Sequence, residues 1–374
     1  MTGALTTLDI LNMPNPPLTA LFRPEILAMS AYHVADAHNY IKLDAMENPY
    51  GWPEAIQAAW LEHLKNCPMN RYPDPEAKAL ADALRKSNGI PEQSGLILGN
   101  GSDEIIQILQ MALPSDATVL APEPGFVMYK QIALSLGLRY HGVPLLADSF
   151  DLDLPAMLEA IKTYQPTLIF LAYPNNPTGN LFDAQAIVDI LKAAPGLVVV
   201  DEAYAPFADA SFMDHLPHYP NLLVMRTVSK LGLAGLRLGF LAGDKDILAQ
   251  LNKVRLPYNI NCLTQETATF ALEHQQFLLE QTQTICEQRL AVLASLQNRN
   301  DVKAYPSSAN FILFKTLNKP ANEIFSSLKA QGILIKNLSP QGGMLSDCLR
   351  VTIGKPEENQ AFLSALNRAL NESN

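Results

Sequence analysis

The sequence predicts an α/β protein, with a large, doubly wound, mostly parallel sheet domain followed by a smaller α+β domain. Three observations predict it. From about Met46 to Lys253, short β-rich runs alternate with amphipathic helical stretches, the order expected of βαβ units. Several of those runs are apolar without alternation, as strands buried on both faces of a parallel sheet should be. The chain is also long enough for two cores: 374 residues, 48% of them hydrophobic, against about 150 residues per domain.

Taken in order, residues 1–30 are broken by Pro14, Pro16, Pro17 and Pro24 and read as an extended N-terminal arm. Residues 31–256 form the large domain, whose first residues can pack with the small one. Its strands are expected at Leu96–Leu98, Thr118–Ala121, Thr167–Ala172, Leu197–Val200, Leu222–Val228 and Arg237–Ala242. Between them, Ser102–Leu113 and Phe126–Leu136 carry apolar residues at helical spacing. Residues 257–374 form the small domain. A continuous helical periodicity without turn residues spans 263–298. It is followed by strands at Asn310–Phe314, Ile333–Lys336 and Leu349–Ile353, a helix near Ala321–Ala330 and a terminal helix from Pro356.

Composition excludes several classes. Charged residues make up 17% of the chain and no polar low-complexity tract occurs, so extensive disorder is not expected. A formal net charge of −10 disfavours nucleic acid and anionic membranes as partners, although local cations can still hold a small anionic substrate. Cys67, Cys262, Cys286 and Cys348 lie far apart, neither a disulfide framework nor a metal site, as suits a reducing cytoplasm. Neither a signal-peptide pattern nor a membrane-spanning apolar run is present, so a cytoplasmic location is expected.

Four segments follow strands and carry the chemistry. Gly99-Asn-Gly-Ser-Asp103 joins a strand to a helix. It is either an ordinary turn or a phosphate site built on free N–H groups. Tyr173-Pro-Asn-Asn-Pro-Thr-Gly179 is a polar turn or a stiff loop at the ligand-binding edge of the sheet. Asp201 ends a buried strand, where a carboxylate can cap the next element or hold a protonated heterocyclic nitrogen. Lys230 stands in an apolar, glycine-punctuated stretch with Arg237 nearby. A solvated surface charge is one reading; the other is an amine made nucleophilic by desolvation and a neighbouring cation.

The order of these segments resembles that of the fold-type-I aminotransferases, which use pyridoxal 5′-phosphate. Nearly end to end, the chain resembles the histidinol-phosphate aminotransferases. Leu43-Asp-Ala-Met-Glu-Asn-Pro-Tyr-Gly51, Asn70-Arg-Tyr-Pro73, Asn175–Gly179, Ser229–Gly239, Ala309-Asn-Phe311 and Cys348-Leu-Arg-Val-Thr352 carry the match. The resemblance implies that Lys230 is the Schiff-base lysine and that Asp201 pairs with the cofactor's pyridinium nitrogen. It places Asn176 and Tyr204 at the ring 3-oxygen and Phe126 on the ring face. It puts the cofactor phosphate against Gly101, Ser102, Asp103, Ser229 and Arg237, with Tyr72 reaching it from the second subunit of a homodimer. Arg350 would bind the substrate's anionic group, with Lys336 beside it where many relatives carry Arg. Asn48, Tyr32 and Tyr258 match positions near the substrate. No match assigns Ser339–Met344.

The reaction so implied is transamination of L-histidinol phosphate with 2-oxoglutarate, giving imidazole-acetol phosphate and L-glutamate in histidine biosynthesis. The alternative within the family is an aromatic amino acid aminotransferase. A nicotinamide-dependent dehydrogenase is disfavoured because the dinucleotide fingerprint is missing. A non-catalytic, ligand-sensing descendant is disfavoured by the joint presence of Lys230, Asp201 and Asn176.

Overall fold

Two sheets organise the chain in a computed structural model that describes residues 18–31 and 36–371. The larger has seven strands in the order β2-β8-β7-β6-β5-β3-β4. They are β2 (Gly95–Gly99), β3 (Thr118–Glu123), β4 (Arg139–Pro144), β5 (Leu168–Ala172), β6 (Leu197–Asp201), β7 (Leu222–Thr227) and β8 (Gly239–Gly243). All run parallel except β8, which is antiparallel to both neighbours. The smaller sheet has the order β1-β11-β12-β10-β9. It contains β1 (Ile41–Leu43), β9 (Val302–Ala304), β10 (Phe311–Thr316), β11 (Ile333–Asn337) and β12 (Cys348–Thr352). Residues 37–374 make up one unit; in the separate unit 1–36, the described residues hold a turn at Leu18–Leu21 and a helix at Pro24–Ala28.

The unalternating strands are explained by two cores. Val198 and Val200 of β6 join Ile169, Leu171, Leu222 and Val224 on one face of the large sheet. Val199 joins Leu168, Phe170, Leu223 and Met225 on the other. Successive strand side chains point to opposite faces, so a strand covered twice must be apolar throughout. Helices Leu154–Tyr164 and Ala184–Ala193 contribute to the first core, Ser102–Met111 and Val127–Leu136 to the second. The small sheet builds a third core with helices Ala321–Ala330 and Pro356–Asn371.

Three expectations are corrected. The arm is not wholly extended, since Pro24, with its φ already helical, starts the helix Pro24–Ala28. The periodicity across 263–298 is interrupted: one helix, Cys262–Glu273, ends at His274 (φ −111°, ψ 25°) and a second runs Gln276–Gln297. No glycine or proline marks that break. Strands β1, β4 and β9 were not expected. β1 and β9 are three residues long, and β4 is a polar edge strand.

Behind the end of β6, Glu202 is fully buried and accepts from Arg226 Nε (2.9 Å) and Nη2 (2.7 Å), from Ser211 Oγ (2.9 Å) and from the Phe212 N–H (2.5 Å). Arg226 also donates to Asn88 Oδ1 at 3.0 Å. Arg226→Met leaves a buried carboxylate without its cation, and should cost about 3–5 kcal/mol. A denaturant titration checks this, and a midpoint equal to that of the unmodified protein would refute it.

Candidate active site

Parallel strands end at one edge, and that edge carries the site. The loops after β2, β3, β5, β6 and β7 all leave the large sheet there, which is where open α/β sheets bind ligands. They bring Ser102, Asp103, Phe126, Asn176, Asp201, Tyr204, Ser229, Lys230 and Arg237 around one pocket, with Met46, Ala172, Pro174, Ala203 and Thr227 completing its lining.

At one end lies Asp201. Strand parity turns it to the face that holds Phe170, Met225 and Tyr129. Its Oδ1 accepts from the Ala203 N–H at 3.0 Å and its Oδ2 from the Tyr129 hydroxyl at 2.6 Å. Burial pushes the carboxyl pKa up to about 6, against the opposing effect of those two donors.

At the other end, the helix Ser102–Met111 starts from Gly101 at φ 83°. A Cβ on Gly101 would lie 2.6 Å from Arg237 Nη2, and one on Gly239 would lie 2.7 Å from the Ser102 nitrogen. Only glycines let the guanidinium and the helix start meet here. Arg237 Nη2 stands 3.6 Å from Asp103 Oδ2. Thr227 Oγ1 lies 2.9 Å from both Ser229 Oγ and the Leu238 carbonyl, fixing the serine beside this end. Open N–H groups, a hydroxyl and a cation suit a phosphate.

Lys230 sits between the two ends, in a single wide turn, Ser229–Leu233, with Gly232 at φ 124°. Its Nζ donates to the Ala45 carbonyl at 3.3 Å and lies 5.7 Å from the Tyr204 ring centre. Burial, then the charge of Arg350, brings the amine pKa down to about 8. Asn48 braces this turn from behind: its Nδ2 donates to the Leu231 carbonyl (3.2 Å) and Gln281 Oε1 (3.0 Å), and its Oδ1 accepts from the Tyr50 N–H (2.9 Å).

The small sheet supplies the cations. Arg350 is buried over the Phe311 ring, donating from Nη1 to Asn176 Oδ1 (2.5 Å) and from Nη2 to the Asp44 carbonyl (3.1 Å). Asn176 in turn donates to the Tyr204 hydroxyl at 3.2 Å. Lys336 is directly opposite Arg350 across the β11–β12 ladder, so both side chains leave the same face. Tyr72 and Tyr258 stack on each other at 4.6 Å, both exposed and outside the pocket lining. Tyr32 lies outside the described residues. Tyr129, Met46 and Thr227 were not singled out from the sequence; Tyr129 lies in the helix that Phe126 precedes, with no local signal of its partner.

Comparison with known proteins now decides the family: the model for class I and II aminotransferases matches residues 38–366. The chain belongs to this family. It is 56% identical to histidinol-phosphate aminotransferase 2 of Nitrosococcus oceani over 345 residues, covering 92% of this chain and 96% of that one. It is 50% identical to the histidinol-phosphate aminotransferase of Chromobacterium violaceum over 349 residues, 93% of this chain and 97% of that one. Among solved structures, the Sinorhizobium meliloti histidinol-phosphate aminotransferase in complex with pyridoxal 5′-phosphate superposes with a TM-score of 0.82 at 24% identity, covering 93% and 97% of the two chains. The fold is therefore that of the fold-type-I aminotransferases, and the family's cofactor is pyridoxal 5′-phosphate.

The pocket fits that cofactor. A buried carboxylate, a desolvated amine and a phosphate cradle line a single cavity, matching its ring nitrogen, aldehyde and phosphate. The amine's depressed pKa has a sign that can be tested without the cofactor. Between pH about 8 and its ordinary 10.5, the unfolded lysine holds a proton that the folded one has lost, so stability rises with pH in that window. Below it, the folded protein bears a buried charge. The apoprotein of Lys230→Met should thus be more stable than the unmodified apoprotein at pH 7, by up to about 3 kcal/mol. Its advantage should shrink as pH climbs from about 8 to 10.5. Melting curves across that range check this; a pH-independent difference would show that the amine is not desolvated.

Proposed function

We propose that this chain transaminates L-histidinol phosphate with 2-oxoglutarate, giving imidazole-acetol phosphate and L-glutamate. The observation that carries the reading is the placement of Arg350 and Lys336 as cross-strand neighbours beside a pocket suited to pyridoxal phosphate. It is supported by the names of relatives that match almost the whole chain. The phosphate substrate has no α-carboxylate, whereas glutamate has two carboxylates. One anion site must therefore serve both half-reactions. Arg350 offers a planar fork, held by Asn176 and the Asp44 carbonyl, and Lys336 offers an adaptable point charge.

When bound, the cofactor supplies an electron sink for the carbanion formed at the substrate's α-carbon. Lys230 Nζ, its pKa lowered by burial, would be the base that takes the substrate's α-proton. Asp201 would hold the cofactor's ring nitrogen in its protonated form. The Tyr204 hydroxyl and Asn176 amide, hydrogen-bonded to each other, would hold the ring by its 3-oxygen. Phe126 would cover one face of the ring, while Ser102, Asp103, Ser229 and Arg237, which line the same pocket, would hold the phosphate. Asn48 acts through the Leu231 carbonyl, keeping the lysine turn in place.

A homodimer and a cytoplasmic location belong to the same proposal. Tyr72 is 81% exposed, stacked on Tyr258, with Met69 and Leu256 also exposed nearby in sequence, an apolar surface that a second subunit would cover. None of the four cysteines forms a disulfide, and among the described residues no helix is long and apolar enough to cross a membrane.

Two outcomes test the reading. Lys230→Ala should reduce transamination to background with unchanged far-ultraviolet circular dichroism, and substantial turnover would remove Lys230 from the mechanism. Lys336→Ala should lower kcat/KM for histidinol phosphate and glutamate by about 2–4 kcal/mol, or about one and a half to three decades. Lys336→Arg should be tolerated. If histidinol phosphate, glutamate and phenylalanine decline equally in single-half-reaction assays, or none does, Lys336 does not read the anion.

A further inference from the structure

We infer that Tyr129 is a positioning residue for Asp201, holding the carboxylate ionised and aimed so that it can receive the cofactor's ring nitrogen. The inference rests on the role given above to Asp201 and assigns the group that maintains it.

The geometry is specific. Tyr129 lies in the helix Val127–Leu136, 72 residues before Asp201, and its hydroxyl donates to Asp201 Oδ2 at 2.6 Å. Both residues are buried. The ring cannot drift, because it is stacked on Phe170 at 4.4 Å with the planes 2° apart, and Phe126 meets its face edge-on at 5.5 Å. Gln110 fixes the backbone, donating to the Tyr129 carbonyl at 3.1 Å. A phenol placed this way is a rigid donor, and a donor at this distance favours a carboxylate over a carboxylic acid.

The carboxylate needs such help. Burial works against its charge, and Asp103 and Glu202 add like charge. Lys230, Tyr204 and Tyr129 are the other titratable groups around it; Tyr129 stays a neutral phenol, since burial and the Asp201 charge push its pKa well above 10. Among the described residues, Tyr129 and the Ala203 N–H oppose the burial through hydrogen bonds. A carboxylate has about four lone-pair sites, so two donors still leave room for a ring N–H. Without the phenol, the acid would protonate at higher pH and could no longer pair with a cationic ring.

Tyr129→Phe removes the oxygen and keeps the stack on Phe170. Pyridoxamine 5′-phosphate is a suitable probe because it cannot condense with Lys230, so its affinity reports non-covalent pairing alone. Apoprotein is titrated with it by equilibrium dialysis from pH 5.5 to 8.5, for the unmodified protein, Tyr129→Phe and Asp201→Asn, with melting curves for each. The ligand's own titration is common to all three. The unmodified protein should lose affinity as pH falls through about 6, where Asp201 takes up its proton. Tyr129→Phe should begin that loss about one pH unit or more higher, weakening binding about tenfold near pH 7 with an unchanged melting temperature. Asp201→Asn should bind weakly and lose this acid limb. If Tyr129→Phe follows the unmodified profile while Asp201→Asn does not, Tyr129 is packing only and this inference fails. If Asp201→Asn also follows it, the role of Asp201 itself is wrong. Should Tyr129→Phe melt early, infrared difference spectra of the folded apoprotein would still locate its Asp201 protonation step. An unshifted step would overturn the inference.

Discussion

An ionised carboxylate at the end of a doubly covered strand is the constraint around which this site is organised. Burying a charge without partners is among the most costly events in folding, and Asp201 ends a strand whose preceding residues are all apolar. Its charge survives on two donors drawn from different elements, the turn after β6 and the helix Val127–Leu136. The next residue, Glu202, points the other way and is neutralised by Arg226 from the adjoining strand. Two consecutive acids are thus buried on opposite faces, one lining the pocket and one neutralised within the fold. Their roles follow from parity, not from their chemistry.

The second organising feature is the short strap 44–48, which receives both Lys230 and Arg350 on its carbonyls. Its carbonyls receive Arg350 at Asp44, Lys230 at Ala45 and the Asn310 amide at Met46, while Thr352 accepts the Met46 N–H. Met46 adopts φ 53°, a conformation that costs a non-glycine residue energy and persists only under such restraint. The strap therefore couples the amine on the large sheet to the cations on the small one.

What could be read in the sequence divides along the same physical line. Asp201, Asn176 and Lys230 were legible because each ends or closely follows an apolar strand, and Arg237 because it stands just before one; local order fixes where a strand end points. The six expected strands of the large sheet were legible for the same reason. Tyr129 was not, because its meaning depends on a partner 72 residues away. β1 was not, because three residues with no pattern of their own become a strand only by pairing with Ile333–Ile335. The break at His274 was hidden because the chain turns there without glycine or proline. Asn48 was read as a substrate contact, yet its amide is engaged with the lysine turn.

The strap also imposes an order in time. Met46 and Thr352, like Asp44 and Arg350, are separated by 306 residues, so those contacts close the longest loops in the site. A chain emerging from a ribosome can complete the strands of the large sheet long before β12 exists. Until then the strap lacks its contacts with Arg350 and Thr352. Completion of the strap's contacts is thereby tied to the last strand translated among the described residues.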